Sequence, residues 1–213
     1  MTTKNMLSNV HEKKKKLQKI AVVTSGGDAP GMNAAIRAVT RAAIAHKLKV
    51  VGIRRGYQGM IEGDFIPLKA SDVSGILQLG GTMLKTARSA AFRTPEGREL
   101  AYQQLKINDI DAVVVIGGDG SFTGALEMSL EFNISFVGIP ATIDQRGGSP
   151  TAKDRVNATR IGVAAVEALL DDQKSIMIGL CNEKIVQVPF NKAVKLNHSI
   201  DLNLLEIQRL MNC

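Results

Sequence analysis

The chain contains no tryptophan, and aromatic residues make up only 4% of its 213 residues. Proteins that bind single-stranded nucleic acid stack bases on aromatic side chains, so this scarcity argues against such a platform. The sequence also lacks an apolar run of 18 residues and a secretory-type apolar stretch near its beginning. We therefore expect no nucleic acid and no membrane among its partners.

Cysteine is nearly absent as well. Cys181 and Cys213 are the only two, and their spacing matches neither a disulfide framework nor a metal site. Free thiols persist in reducing compartments, so we expect a cytoplasmic protein.

Positive charge is concentrated at one end of the chain. The formal net charge is +7, and residues 1–19 hold six lysines against the single acid Glu12. Such a tail can contact nucleic acid or a membrane. Because no arginine-rich or aromatic surface accompanies it, we predict a solvated, mobile basic arm over residues 1–19.

The remaining residues alternate between short apolar runs and amphipathic segments. This alternation predicts an α/β fold with a doubly wound, mainly parallel sheet. The predicted strands cover residues 20–24, 49–53, 111–116 and 134–140, and the predicted helices cover 33–46, 95–106 and about 120–132. Later in the chain, Ser149 and Pro150 predict a helix start, and residues 175–180 and 184–188 predict a hairpin. Between the predicted strand 49–53 and the predicted helix 95–106, residues 54–59 indicate a turn and residues 71–79 a short helix.

The strand at residues 111–116 runs into the glycine-rich segment 117–120, GGDG, and then into a helix. A turn of this kind presents backbone N–H groups and the helix dipole to a phosphate. The carboxylate of Asp119 would repel phosphate unless a cation lay between them, which indicates Mg²⁺. The alternative, a simple strand-to-helix turn with Asp119 as N-cap, fits the spacing about as well.

Two further segments suit a phosphate site. Residues 25–33, SGGDAPGMN, contain three glycines and follow the first predicted strand, where α/β sheets bind ligands. The loop 80–89 carries Lys85 and Arg88, and a guanidinium can contact two phosphate oxygens at once. The alternatives are a tight turn for the first segment and a solvated surface arginine for the second.

Together these segments resemble the ATP-dependent 6-phosphofructokinase family. The resemblance rests on residues 24–33 (TSGGDAPGMN), 116–121 (IGGDGS), 140–144 (PATID) and 145–150 (QRGGSP), in that order. It implies ATP as co-substrate, Mg²⁺ as cofactor, and fructose 6-phosphate as acceptor. Four long motifs in the right order are far more specific than one glycine-rich turn.

The resemblance also implies roles for individual residues of the nucleotide site. Gly27 would lie under the nucleotide, Arg88 and Ser89 would border its phosphates, and Asp119 would hold Mg²⁺. The phosphate cradle would consist of Gly118, Asp119, Gly120 and Ser121. Gly120 and Ala141 favour ATP over pyrophosphate, because the pyrophosphate-using branch tends to carry an acid and a lysine there.

On the acceptor side, the resemblance assigns Asp144 as the general base for the sugar's 1-hydroxyl. Thr142, Ile143, Asp144 and Arg146 would bind the substrate. Arg37 and Arg41, one helical turn apart, match family positions that bind a phosphorylated effector. Ala70 stands where the family usually has a further effector arginine.

The chain departs from the family at one join, because Asp144 is followed directly by Gln145. The family has a long central segment there, which supplies most of the sugar-phosphate pocket and much of the subunit interface. We therefore expect a nucleotide-binding domain at 20–144 and a remnant of the second domain at 145–213. The expected reaction is phosphorylation of fructose 6-phosphate, impaired in this shortened chain.

Two other functions stay open from the sequence. One is a non-catalytic Mg·ATP-binding module, which would pair with a complete subunit. The other is a kinase of the diacylglycerol or NAD type, which also uses a GGDG turn, although residues 25–33 and 142–144 argue against it. The family forms homotetramers, so a homo-oligomer is the expected assembly.

Overall fold

The computed structural model of the chain describes residues 17–141 and 148–194. Within these ranges strands and helices alternate, and the strands form one seven-stranded sheet. The strands are β1 (Lys19–Thr24), β2 (Lys49–Ile53), β3 (Phe65–Pro67), β4 (Ala112–Gly117), β5 (Ser135–Pro140), β6 (Ile176–Cys181) and β7 (Lys184–Pro189). The helices are α1 (Met32–Ala45), α2 (Gly56–Glu62), α3 (Pro95–Ile107), α4 (Asp119–Glu131), α5 (Ala152–Leu170) and α6 (Phe190–Ala193).

The strand order in the sheet is β3-β2-β1-β4-β5-β6-β7. The inner pairs β1–β2, β1–β4, β4–β5 and β5–β6 are parallel, and the edge pairs β2–β3 and β6–β7 are antiparallel. This confirms the predicted mainly parallel sheet. The chain leaves β1 toward one edge and returns to β4 on the other side, so a ligand crevice is expected outside the carboxyl ends of β1 and β4.

Two hydrophobic cores cover the two faces of the sheet. In β1, Ile20 and Val22 face the core formed with α1 and α5, while Ala21 and Val23 face the core formed with α3 and α4. Because successive side chains of a strand point to opposite faces, a strand covered on both sides must be apolar throughout. All six residues of β4 are buried accordingly.

Helices α1 and α5 pack at close range. A Cβ atom on Gly162 of α5 would lie only 2.6 Å from the Cβ atom of Ala38 and 3.1 Å from the carbonyl oxygen of Ala35, both on α1. The small residues therefore allow the two helix backbones to approach each other.

The start of α5 differs from the prediction. Ser149 and Pro150 precede the helix, and the N-cap is Thr151. The backbone N–H of Asp154 donates to Oγ1 of Thr151 at 3.2 Å, and the N–H of Thr151 donates to Oδ2 of Asp154 at 2.8 Å. This reciprocal capping box satisfies two helix-end donors, which explains why the helix begins two residues later.

Two predictions for residues 54–79 need correction. A turn was predicted at 54–59; Arg54 and Arg55 form a turn, but Gly56–Glu62 form α2, where a Cβ atom on Gly59 would clash with the carbonyl oxygen of Arg54. A short helix was predicted at 71–79, but these residues form turns. Gly75 has a φ of +77°, which a right-handed helix cannot contain.

The predicted hairpin is confirmed, and it belongs to the same sheet as β1–β5. Strand β6 pairs with β5 at Val137–Ile176, and the turn to β7 contains Asn182 and Glu183 with φ values of 49° and 61°. The proposed domain boundary after Asp144 lies outside the described residues, as does most of the basic arm, and both remain predictions. No helix in the described ranges is long and apolar enough to cross a membrane.

Candidate functional site

A cleft of about 1080 Å³ lies at the carboxyl ends of β1 and β4. Three segments that are distant in the sequence line it: the turn after β1, the loop before α3 and the turn into α4. Seven predicted site residues lie on this cleft: Gly27, Arg88, Ser89, Gly118, Asp119, Gly120 and Ser121. The sheet topology brings the two glycine-rich turns together, because the parallel strands β1 and β4 end at the same edge. Arg88 and Ser89 reach the cleft from the loop before α3.

The turn into α4 has the geometry of an anion site. Gly118 is the N-cap in an extended conformation, and its carbonyl oxygen accepts hydrogen bonds from the N–H groups of Ser121 and Phe122 at 2.9 and 3.1 Å. The first N–H groups of a helix have no partners within the helix, and the helix dipole favours negative charge there. Asp119 and Gly120 are exposed at this end of the helix.

The two glycine-rich turns pack directly against each other. A Cβ atom on Gly117 would lie 2.5 Å from both Oγ of Ser121 and the carbonyl oxygen of Ser25. The N–H of Ser25 also donates to the carbonyl oxygen of Ile116 at 3.0 Å. Only glycine at position 117 lets the turn after β1 contact the turn into α4.

Gly27 and Gly120 differ from Gly117 in their surroundings. A Cβ atom on either would meet no atom within 4 Å. Both lie on the cleft, so their missing side chains leave room for a ligand to approach the backbone.

The loop before α3 contributes Arg88 and Ser89. Arg88 is exposed on the cleft. The hydroxyl of Ser89 donates to Oε1 of Gln58 at 2.7 Å and accepts from the N–H of Phe92 at 3.2 Å. The loop backbone next to Arg88 is therefore tied to α2 and to the residues that precede α3.

An aromatic pair forms one wall of the cleft. The rings of Tyr57 and Phe92 are stacked with their centroids 3.9 Å apart, and the Tyr57 hydroxyl donates to the carbonyl oxygen of Ser121 at 2.5 Å. Burial, together with the nearby carboxylate of Glu127, raises the pKa of Tyr57 above its usual range, so the phenol stays protonated. The wall thus fixes the first turn of α4.

The buried Arg98 of α3 joins this helix to α4 and to the segment that contains Phe92 and Arg93. Arg98 donates from Nε and Nη2 to the two carboxylate oxygens of Glu131, and from Nη1 to the carbonyl oxygen of Arg93 at 3.0 Å. The hydrogen bonds from Arg98 hold the pKa of Glu131 below its usual range. The same pairing raises the pKa of Arg98. Helices α3 and α4 are thereby locked together beside the cleft.

Among the residues that line the cleft, sequence reasoning gave no site role to Tyr57, Phe92, Arg93 and Glu127. The sequence contains a signal for Arg93, because a second cation five residues after Arg88 indicates a phosphate site. Tyr57 and Glu127 carried none, because each reaches the cleft only through the packing of α2 and α4.

The remaining predicted residues fall into two groups. Arg37 and Arg41 do not line the cleft. They lie one turn apart on α1, and Arg41 donates to the carbonyl oxygen of Ala70 at 3.4 Å.

The acceptor residues Thr142, Ile143, Asp144 and Arg146 lie outside the described residues. Ala141 lines the cleft, and its N–H donates to the carbonyl oxygen of Gly117 at 2.9 Å. The segment that carries the acceptor residues therefore starts at the rim of the cleft.

Comparison with known proteins identifies the family of the chain. A family model described as Phosphofructokinase matches residues 19–144. The ATP-dependent 6-phosphofructokinase of Thermotoga neapolitana is 34% identical over 319 residues, covering 92% of this chain and 100% of the relative. That of Halothermothrix orenii is 57% identical over 128 residues, covering 60% of this chain and 39% of the relative.

Solved structures show the same fold. A phosphofructokinase from Saccharomyces cerevisiae superposes with a TM-score of 0.81 at 25% identity, over 84% of this chain and 45% of the yeast chain. A pyrophosphate-dependent phosphofructokinase from Marinobacter aquaeolei superposes with a TM-score of 0.76 over 88% of this chain and 86% of its own. At 11% identity, the second likeness concerns the fold alone.

The lengths of these matches differ from the length of the chain. The Thermotoga match spans 319 residues while covering 92% of the 213 residues of this chain, so the relative contains residues that have no counterpart here. The family model, by contrast, ends at residue 144.

Proposed function

Because the chain belongs to the phosphofructokinase family, we propose that it transfers the γ-phosphoryl group of ATP to the 1-hydroxyl of fructose 6-phosphate in glycolysis. In this reaction the bond between the γ-phosphorus and its bridging oxygen breaks, and a bond to the sugar's 1-oxygen forms. ADP leaves, and the hydroxyl proton passes to a carboxylate. The observation that carries the proposal is the convergence of both glycine-rich turns and Arg88 on one cleft.

The nucleotide end of the cleft suits a triphosphate. The N-terminus of α4 offers unpaired N–H groups and a favourable dipole, and the guanidinium of Arg88 offers paired donors. Phosphoryl transfer depends mainly on positioning and on donors for the charged oxygens. The N-terminus of α4 and Arg88 supply both the positioning and the hydrogen-bond donors, and no covalent bond to the substrate is needed.

Magnesium fits this site through Asp119. The Asp119 carboxylate is exposed on the cleft beside the phosphate cradle. Mg²⁺ that accompanies a nucleotide is usually held by one or two carboxylates plus the phosphates themselves, so a larger acidic cluster is not required. When bound, the metal would neutralise charge on the phosphate oxygens.

The preference for ATP over pyrophosphate rests on Gly120 and Ala141. Both line the cleft, and the open space beside Gly120 leaves room for the nucleotide. A carboxylate at position 120 would place negative charge against the phosphates, which repel it.

For the acceptor we propose Asp144 as the general base, with Thr142, Ile143 and Arg146 holding the sugar phosphate. What supports this proposal is the hydrogen bond from the N–H of Ala141 to the carbonyl oxygen of Gly117, which holds the residue just before Thr142 at the cleft. A carboxylate within hydrogen-bond reach of the attacking hydroxyl is what the chemistry requires.

A second candidate function is Mg·ATP binding without turnover. The observation that favours it is the length of the relatives, since the Thermotoga match spans 319 residues and this chain has 213. We propose that the missing residues lie between Asp144 and Gln145, where they would complete the sugar-phosphate pocket. Lost orientation of the acceptor can remove a large share of catalysis, on the order of 7–11 kcal/mol.

The assembly and location follow the same reasoning. We propose a homo-oligomer, as in the family, with the half-buried Arg37 and the exposed Arg41 on α1 available to an effector. We place the protein in the cytoplasm, together with the other reactants of glycolysis.

A coupled assay with ATP, Mg²⁺ and fructose 6-phosphate tests the proposal. Formation of fructose 1,6-bisphosphate, abolished in Asp144→Asn, would support the enzyme. Mg·ATP binding without product would favour the second function. Phosphorylation of NAD or a diacylglycerol, but not of the sugar phosphate, would overturn both.

A further inference from the structure

Asn33, in the first turn of α1, reaches across to a loop far away in the sequence. Its side chain is buried, with only 3% of the residue exposed. Nδ2 donates to the carbonyl oxygens of Leu79 and Gly80 at 3.1 Å each, and Oδ1 accepts from the N–H of Met83 at 2.8 Å. One amide therefore satisfies three backbone groups of that loop.

The residues on either side of Met83 are held by Thr24 and Arg55. The Thr24 hydroxyl bonds to Oγ1 of Thr82 and donates to the carbonyl oxygen of Lys85, both at 3.0 Å. The N–H of Arg55 donates to the carbonyl oxygen of Leu84 at 2.8 Å. Thr86 to Ala90 then line the nucleotide cleft. Arg88 thus lies between an anchored entry, which begins at Asn33, and the Ser89–Gln58 hydrogen bond.

The same turn of α1 directly follows the first glycine-rich turn. α1 begins directly after Gly31, which has a φ of +94°. A Cβ atom on Gly81 would lie 3.6 Å from Oδ2 of Asp28, so the loop held by Asn33 contacts that turn. The start of α1 therefore connects two walls of the cleft. One is the turn after β1, which contains Gly27, and the other is the loop that carries Arg88.

We propose that Asn33 is a positioning residue for nucleotide binding, acting through the loop that carries Arg88. This inference rests on the proposed function. A side-chain amide is required because the loop presents two acceptors and one donor to one point, and only an amide offers both donors and an acceptor there. Removing it leaves buried backbone groups unpaired, which releases the loop.

The first test needs no nucleotide. Trypsin cleaves after Lys85 and Arg88, both in this loop, and after Lys106 and Lys153 in α3 and α5. We expect Asn33→Ala to speed cleavage after Lys85 and Arg88 about tenfold, with cleavage after Lys106 and Lys153 unchanged. Asn191→Ala, at an exposed position of α6, is the matched control and should change neither. If Asn33→Ala does not fold, Asn33→Ser, which keeps one polar group, takes its place.

The second test asks whether Asn33 acts through Arg88. Mg·ATP affinity is measured by calorimetry for the wild-type chain, Asn33→Ala, Arg88→Ala and the double variant. We expect each single change to weaken binding about tenfold and the double variant to bind no more weakly than Arg88→Ala. Multiplicative effects of the two changes, or unchanged cleavage of the loop, would overturn the inference. Absence of Mg·ATP binding by the wild-type chain would instead refute the proposed function, while the cleavage test still decides whether Asn33 holds the loop.

Discussion

The hydroxyl of Tyr57, on α2, donates a hydrogen bond to the carbonyl oxygen of Ser121 in the first turn of α4. Tyr57→Phe removes this bond alone and keeps the stacking on Phe92. We expect the free energy of unfolding to fall by about 1 kcal/mol and Mg·ATP affinity to fall severalfold, because the phosphate turn loses an anchor. Urea denaturation and calorimetry measure the two effects. Tyr102→Phe, outside the nucleotide cleft, is the control; equal loss of affinity in both variants would contradict the role of Tyr57.

Gly120 offers a test of charge at the phosphate site. A side chain there enters open space, and an acid in the first turn of a helix is favourable, so Gly120→Asp should fold normally. We expect Mg·ATP affinity to fall roughly tenfold or more through repulsion between the new carboxylate and the phosphates. Gly120→Asn, of the same shape but neutral, should retain most of the affinity. A similar loss in both variants would mean that bulk, and not charge, governs this position.

The pairing of Arg98 with Glu131 predicts a pH dependence of stability. Arg98 holds the folded-state pKa of Glu131 below the unfolded value of about 4.3, so the carboxylate stabilises the fold above that pH. This contribution is lost as the pH falls through the lower, folded-state pKa. Because Glu131 is partly exposed, we expect Glu131→Gln to cost about 1 kcal/mol at pH 7.

The measurement is the urea midpoint of the wild-type chain and of Glu131→Gln between pH 7 and pH 3. The difference between them should shrink below about pH 4, since protonation of the wild-type side chain removes the same charge. Glu167→Gln, on the exposed side of α5, is the control. A difference that stays constant down to pH 3 would show that the charge of Glu131 contributes nothing.

The sheet was largely predictable because strand signals are local. The run Val113 to Ile116 is apolar on both faces, as a buried parallel strand requires, and β2 was predicted at its observed bounds, Lys49–Ile53. Predictions failed where a distant contact or a special dihedral decided the outcome. Gly59 lies in α2 although its residue type favours turns, and Gly75 prevents the helix predicted around it.

The same distinction applies to the cleft. Gly27 and Asp119 were predictable because glycine-rich turns at strand ends have a recognisable pattern. Tyr57 and Glu127 were not predictable, because they reach the cleft only when α2 and α4 pack side by side on one face of the sheet. No local pattern records that Asn33 and the loop 79–83, about fifty residues apart in the chain, bond to each other.

Calorimetric titration of Mg·ATP into the purified chain tests the central claim most directly, with Asp119→Asn titrated under the same conditions. The account predicts one site in the wild-type chain, with affinity at least about tenfold lower in Asp119→Asn or when Mg²⁺ is removed by a chelator. Asp171→Asn, at the far end of α5, should bind like the wild-type chain. Absence of binding by the wild-type chain, or equal affinity in Asp119→Asn and in the presence of chelator, would contradict a magnesium-dependent triphosphate site at this cleft.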